Sequence, residues 1–532
     1  MGPVDRQDND DEQFKGADNI TQSVVREVAV QNPTGAALNV TQNSSVQVLT
    51  ANKEPVRLRY FMSGPDRAVS KNVALKYFGG LKPHLDICSR KSRIYPHVLD
   101  GNCQYLLIED FNTSGLTGDI AEDFELEGSG NNFYGLFRSA GKSSKTKGGG
   151  SWGVGKLVAN MASSIGIFVG YSVRHCSVGQ TDATPRVLMG RGTLTTHKLD
   201  GKRYSPDAFL SNWSEGYPMA ITNSELLDTF VSDWKISRLP SQSGLTTLIP
   251  YCAENTQANP VAHVFYLAAE AYGNIMAGLL VIDVDVPGIS QQLNRETLEI
   301  FVEQMSVNDN EFDWQQLLKK IRLVKWAMST DSSPNTINLP KVSNPSDVTE
   351  YMKNLSKELK DIIYKTFSES GRVSLHIPVT VEHAPDSNSS NFYDGNLKVV
   401  LEKDPSSSEA MYPEYFRDWI RIGVGFRNRK KGERPMGSKI SQIRSIVLAI
   451  NGPVNGLSQL LRASEGIAHT KWDPETKGFK EWRKGDVWIY FSKHAPIELA
   501  DIARGLTNER DYTTFPFFQD PSINGTLQPQ PT

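Results

Sequence analysis

Residues 105–119 read Tyr105-Leu106-Leu107-Ile108-Glu109-Asp110-Phe111-Asn112-Thr113-Ser114-Gly115-Leu116-Thr117-Gly118-Asp119. The apolar run at 105–108 stops at two acids and enters a turn rich in Gly, Ser and Thr, the pattern of a buried strand that ends by delivering a carboxylate to a site. Taken alone, an acid before such a turn is more often a plain loop.

Two further stretches bear on the same site. Gly148-Gly149-Gly150-Ser151-Trp152-Gly153-Val154-Gly155-Lys156 places small residues in succession just before a helix pattern at 156–164. Backbone N–H groups there can approach an anion at a helix N-terminus. Lysine-containing glycine runs are also common in flexible surface loops, but Trp152 and Val154 argue for packing. Gly244-Leu245-Thr246-Thr247-Leu248-Ile249-Pro250 carries a short strand signature and says little by itself. Upstream, Pro33-Thr34 followed by small and apolar residues as far as Asn43 reads as a helix start, and 56–62 as a strand.

In order and spacing these elements resemble the GHKL ATPase superfamily, which includes gyrase B, MutL, the heat-shock chaperones, histidine kinases and MORC proteins. The resemblance implies an α+β fold: a sandwich of helices on a mixed sheet that binds ATP and magnesium. It implies that Asp110 accepts from the adenine amino group and that Gly115 and Gly118 let the loop pass close to the base. Gly150, Gly153, Gly155 and Lys156 become the lid over the phosphates, and Thr246 completes the adenine pocket. Asn43 takes the position of the magnesium ligand. The general-base position, four residues earlier, holds Asn39, whose amide cannot take a proton from water as a carboxylate can. Nucleotide binding is therefore implied more strongly than turnover. Glu27, the other acid nearby, precedes Pro33 and falls off the helix, and Asn112 stands where many members of the superfamily have glycine.

Gly150-Ser151-Trp152-Gly153-Val154-Gly155-Lys156 also matches the start of a P-loop. Leu157 follows in place of Ser or Thr, however, and the polar stretch 139–147 cannot be the buried strand a P-loop requires before its glycines.

Farther along, 261–277 and 279–286 read as helix then strand, and the first unit is drawn at 31–290 after a polar arm at 1–30. Helical spacing recurs through Trp314, Leu317, Leu318, Ile321 and Val324, and again from Met352 to Ile363, with a Ser/Pro/Asn-rich linker at 330–346; these form a helical connector at 291–370. From Gly371 the period is two, through Val373, Leu375, Ile377, Val379 and Val381, with further strands at 397–401, 446–450 and 487–491. This second α+β unit, 371–506, resembles the transducer domain of gyrase B and MutL. Its basic loop, Arg427 to Lys439, offers Lys430, Lys431 and Lys439 as lysines that would reach the γ-phosphate. A solvated basic turn and a DNA phosphate contact are the alternatives. The tail, 507–532, is rich in Pro, Thr, Asn and Gln.

The segment Leu460 to Trp472 resembles one in a bacterial branch of GHKL proteins, MutL/MORC-like, found with restriction-like and anti-phage systems. On physical grounds Glu465, His469 and Trp472 lie near helical spacing and could fasten a helix to the sheet; His469 is given no catalytic role.

Composition bounds the rest. The 532 residues suffice for more than one core, and 39% hydrophobic with 22% charged residues is ordinary for a globular protein. Lys and Arg number 57 against 60 Asp and Glu, so a nucleic-acid contact must come from a local patch. Cys88, Cys103, Cys176 and Cys252 form no CxxC or Cys/His cluster, which fits a reducing cytoplasm. The most apolar stretch, 263–286, is interrupted by Glu270, Asn274, Asp283 and Asp285, so no membrane role is expected.

The expected function is an ATP-operated clamp or switch, a homodimer through its ATPase unit, working with other defence proteins such as a helicase or nuclease. A nucleotide-binding scaffold without turnover is the alternative, and a chaperone-like ATPase ranks behind it. A histidine kinase fares worst, since no phospho-acceptor helix pair precedes the nucleotide unit.

Overall fold

The computed structural model describes residues 54–88, 96–122, 131–138, 159–175, 184–214, 217–253, 259–330, 333–345, 348–386, 389–407, 411–422, 440, 442–450, 454–465, 472 and 477–506. The strands of its first half are β1 (Val56–Met62), β2 (Tyr105–Phe111), β3 (Ile167–Val173), β4 (Arg186–Thr193), β5 (His197–Leu199), β6 (Lys202–Tyr204), β7 (Asp207–Leu210), β8 (Asn212–Ser214), β9 (Tyr217–Met219), β10 (Gly244–Pro250), β11 (Leu280–Val286) and β12 (Ile289–Leu293). Those of the second half are β13 (Thr336–Asn338), β14 (Arg372–Asp386), β15 (Ser389–Lys403), β16 (Glu414–Arg417), β17 (Ile420–Ile422) and β18 (Ile443–Ala449). The helices are α1 (Lys71–Phe78), α2 (Lys82–Cys88), α3 (Asn132–Phe137), α4 (Ser224–Asp233), α5 (Pro260–Met276), α6 (Leu298–Asn308), α7 (Trp314–Met328), α8 (Val348–Lys353), α9 (Lys357–Ser370), α10 (Gly456–Ala463) and α11 (Gly485–Ala503).

Both large sheets are mixed, and the molecule is α+β as expected. The first has the order β12-β11-β1-β2-β10-β3-β4-β7, with β1 and β11 parallel and its other pairs antiparallel. Its central strands read as near-continuous apolar runs because both faces are covered. On one face Tyr105, Leu107, Val169 and Leu248 pack against α1, α2 and α4 through Phe78, Leu85, Phe230 and the nearby Trp234. On the other, Leu58, Leu106, Ile249 and Ile282 meet α5 and α7.

The second sheet, β13-β14-β15-β18-β16-β17, packs one face on α8 to α11. Its other face contributes Val400, Phe416, Ile446 and Leu448 to the same core that α5 and α7 share with the first sheet. The layers therefore alternate helix, sheet, helix, sheet, helix, with α5 and α7 in the middle. At Gly273 of α5 a Cβ would lie 2.7 Å from the Phe416 ring and 2.8 Å from the Trp419 carbonyl, so only glycine lets the helix meet the β16–β17 turn this closely.

Most expected elements are present: β1 at 56–62, β10 at 244–250 and helix then strand at 260–286. The helix expected at 156–164 is described only from 159, and residues 159–161 are helical. Four expectations are corrected. The strand expected at 487–491 is the start of the 19-residue helix α11, whose buried Trp488, Ser492, Ala495, Leu499 and Ile502 recur at helical spacing. The helical stretch expected from Met352 to Ile363 is two helices, because the Ser356 side chain accepts from Leu359 N and starts α9 afresh. The linker expected at 330–346 supplies β13 as an edge of the second sheet, parallel to β14. Glu465 and Trp472 meet across an antiparallel bridge and not along a helix, since α10 ends at Ala463. Among the described residues, no helix is long and apolar enough to cross a membrane.

Candidate functional site

The register of β2 fixes which way its two acids face. Arg59 pairs with Glu109 and Leu58 with Asp110 on β1, while Thr246 of β10 pairs with Glu109 and Thr247 with Ile108. Side chains alternate along a strand, so Glu109 and Thr246 share the α1/α4 face, and Asp110 shares the α5 face with Leu58 and Thr247. Thr246, expected beside Asp110 in one pocket, is fully buried on the opposite face. Thr247 is the threonine on the side of Asp110.

Asp110 is 6% exposed, and its Oδ1 accepts from the Leu245 backbone N–H at 3.0 Å and from the Thr113 hydroxyl. Fully buried Glu109 pairs with Arg59 and accepts from Ser237 N at 3.2 Å, Ser237 Oγ at 2.9 Å and Thr246 Oγ1 at 3.3 Å. Adjacent carboxylates thus have different surroundings: one is enclosed by donors on every side, and the other is held at the end of its strand.

The turn after Asp110 takes its shape from backbone conformations that most residues avoid. Asn112 has φ +64°, which asparagine tolerates, and its side-chain amide donates to Pro55 O at 2.8 Å. Glycine is therefore not required there. Gly115 has φ +68°, and a Cβ on it would sit 2.5 Å from Val173 O; Gly118 has φ +102°, and a Cβ on it would strike Asn131. Both glycines are needed for packing against the protein itself. The buried Arg174 ties the same turn down, donating to Leu116 O at 2.8 Å, to Gly118 O and to Thr184 O at 3.4 Å. Ser172 Oγ accepts from Leu116 N at 2.9 Å and donates to Gly244 O at 3.1 Å.

A second buried arginine closes the other side. Arg238 follows α4 and stacks over the Phe111 ring with 4.5 Å to its centroid. Its guanidinium bonds to Thr246 Oγ1, to the carbonyls of Gln242, Ser243 and Leu245, and to Asp110 O. Burial pulls its pKa down, against the opposing pull of Asp110 and Glu109. Gly244, at φ +141°, passes between these groups: a Cβ there would meet Asp110 O and lie 2.5 Å from the Arg238 guanidinium.

Of the residues expected at the site, the structure brings together Asp110, Gly115 and Gly118. Asn39, Asn43, Gly150, Gly153, Gly155, Lys156, Lys430, Lys431 and Lys439 lie outside the described residues. Thr113, Arg174 and Arg238 had no sequence signal, since a single arginine or threonine near a strand reads as solvated.

These features define an α+β protein on two mixed sheets, with a carboxylate and a glycine turn at the end of a central strand. No known family profile matches the chain, and no curated protein matches it. Among solved structures, it aligns with the 43K ATPase domain of Thermus thermophilus gyrase B, crystallised with an aminocoumarin. That alignment covers 83% of this chain and 83% of that one, at 9% identity and a TM-score of 0.24. Similarity this low transfers no residue roles.

Proposed function

We propose that the chain is an ATP-binding protein of the GHKL type, acting as a nucleotide-operated clamp or switch. The observation that carries this is Asp110: a carboxylate at the end of a central strand, oriented by Leu245 N–H and Thr113, and followed by a turn that Gly115 and Gly118 let pack closely against Val173 and Asn131. A carboxylate so placed accepts from an exocyclic amine and rejects a carbonyl, the distinction between adenine and its 6-oxo counterparts. Thr247, on the same face, takes the pocket role first expected of Thr246. In this reading Asn43 ligates magnesium, while Gly150, Gly153, Gly155 and Lys156 cover the phosphates. Nucleotide binding then closes two copies into a dimer.

The second sheet would act as the transducer, with Lys430, Lys431 or Lys439 approaching the γ-phosphate or a DNA phosphate. The resemblance at 460–472 supports a MutL/MORC-like branch in a multi-protein, DNA-directed anti-phage complex, with any cutting or unwinding done by a partner.

Asn39 at the general-base position favours a second reading, a nucleotide-binding sensor without turnover. Magnesium-dependent ATP binding and phosphate release, measured for wild type, Asp110→Ala and Asn39→Glu, separate the two. The clamp reading expects slow release from wild type; the sensor reading expects release only from Asn39→Glu. Equal ATP binding by wild type and Asp110→Ala removes both.

A further inference from the structure

Arg238 is 1% exposed, and an arginine cannot shed its charge at any pH the fold survives. Burial of such a cation is costly unless every donor is satisfied. Here Nε donates to Thr246 Oγ1 at 3.1 Å, Nη1 to Gln242 O at 3.2 Å and Ser243 O at 3.0 Å, and Nη2 to Leu245 O at 2.9 Å and to Asp110 O. All five donors of the fork are used. Four of the five acceptors are main-chain carbonyls, so the group holds backbone in place.

The backbone it holds is specific. One bond grips Asp110 at its own carbonyl, and another grips Leu245, whose N–H donates to Asp110 Oδ1 at 3.0 Å. The carbonyls of Gln242 and Ser243 fix the turn that brings Leu245 into β10. Thr246, between Arg238 and Glu109, extends the network across the sheet toward Arg59. The direction of the Asp110 carboxylate therefore depends on a residue that is buried behind the sheet and reaches no ligand.

We infer that Arg238 is a positioning residue for base recognition, fixing the Asp110 carboxylate so that the site selects a purine bearing a 6-amino group over one bearing a 6-oxo group. This rests on the nucleotide reading proposed above and adds to it the residue that sets selectivity. Lysine cannot replace the fork, having one ammonium where five directed donors are needed.

The test is the ratio of ITP to ATP dissociation constants, measured by titration calorimetry on the full chain with magnesium. A hydrogen bond to a charged group distinguishes ligands by roughly 10- to 100-fold, so wild type is expected to prefer ATP by about that factor. In Arg238→Lys the ratio falls to within about threefold of unity, and ITP affinity stays within about threefold of wild type. A purely structural role would weaken ATP and ITP by the same factor, and that result, or an unchanged ratio, overturns the assignment. Should Arg238→Lys not fold, Phe111→Leu keeps the five donors and removes the ring under them. It is expected to lower the ratio by a smaller factor, and an unchanged ratio there counts against the assignment equally. Wild type that binds neither nucleotide overturns the nucleotide reading itself, and Arg238 with it. Wild type that binds both without preference overturns base selection while leaving triphosphate binding intact.

Discussion

Asp110 and Glu109 are neighbours in sequence on opposite faces of one sheet, and this alternation decides which residues can act together. Gly244 is pinched between the Asp110 carbonyl and Arg238 at a φ of +141°. Gly244→Ala should cost about 1–3 kcal/mol in urea unfolding, from left-handed strain and from collision with both groups. The cysteines give a second residue-scale expectation. Burial pushes the Cys252 thiol up to about 12 and raises that of Cys103 further. Both should resist a thiol reagent at pH 8 in the native protein and react on unfolding. Because these thiols are raised in the fold, their contribution is fully present below the ordinary thiol value of 9.0 and is lost as pH rises from there toward 12. Rapid native labelling of Cys252 would show that its strand edge opens.

Among elements, α5 links the two sheets. Glu270 pairs with Arg421 at 3.3 Å, Arg421 with Glu414 at 3.3 Å, and Lys320 and the Tyr272 hydroxyl also reach Glu414. Burial alone would raise the Glu414 pKa, but Lys320 and Arg421 outweigh it and hold the carboxyl well below its ordinary range. Glu414→Gln should therefore destabilise the protein by about 3 kcal/mol at pH 7, since it leaves buried cations short of a counter-charge. A depressed carboxylate stabilises above its unfolded value of 4.5 and loses that contribution as pH falls through the folded value, so wild type and variant should converge in strong acid.

Elements with a clean period were legible in the sequence: β1, β2 and β10 by apolar runs, and α5 and α7 by helical spacing. The stretch Val487-Trp488-Ile489-Tyr490-Phe491 was not, because β-branched and aromatic residues in a short window mimic a strand. The helical repeat shows only when Ala495, Leu499 and Ile502 are included. The facing of Thr246 was equally hidden, since one residue of register moves a side chain to the other side of a sheet. Arg174 and Arg238 could not be found because what makes them structural is the set of carbonyls they meet, which includes Leu116 O and Gly118 O for Arg174 and Asp110 O for Arg238, all far away along the chain.

At the scale of the whole molecule, each sheet has one face on helices of its own and turns the other into the core around α5 and α7. Val400, Phe416, Ile446 and Leu448 of the second sheet sit in one cluster with Leu58, Ile249 and Ile282 of the first. The two should unfold in one calorimetric transition, with the van't Hoff and calorimetric enthalpies in agreement; two resolved transitions would mean that this layer parts easily. The same layer joins β2, which carries Asp110, to the β16–β17 hairpin through packed side chains of α5.

The central claim is that Asp110 recognises an adenine amino group, and Asp110→Asn tests it most directly. The amide oxygen can still accept from Leu245 N–H and Thr113, so the turn keeps its shape, while the amide nitrogen presents a donor to a donor. Equilibrium titration of magnesium ATP should give saturable binding to wild type and at least about tenfold weaker binding to Asp110→Asn, with the unfolding midpoint nearly unchanged. Wild-type affinity in a well-folded Asp110→Asn would contradict the account.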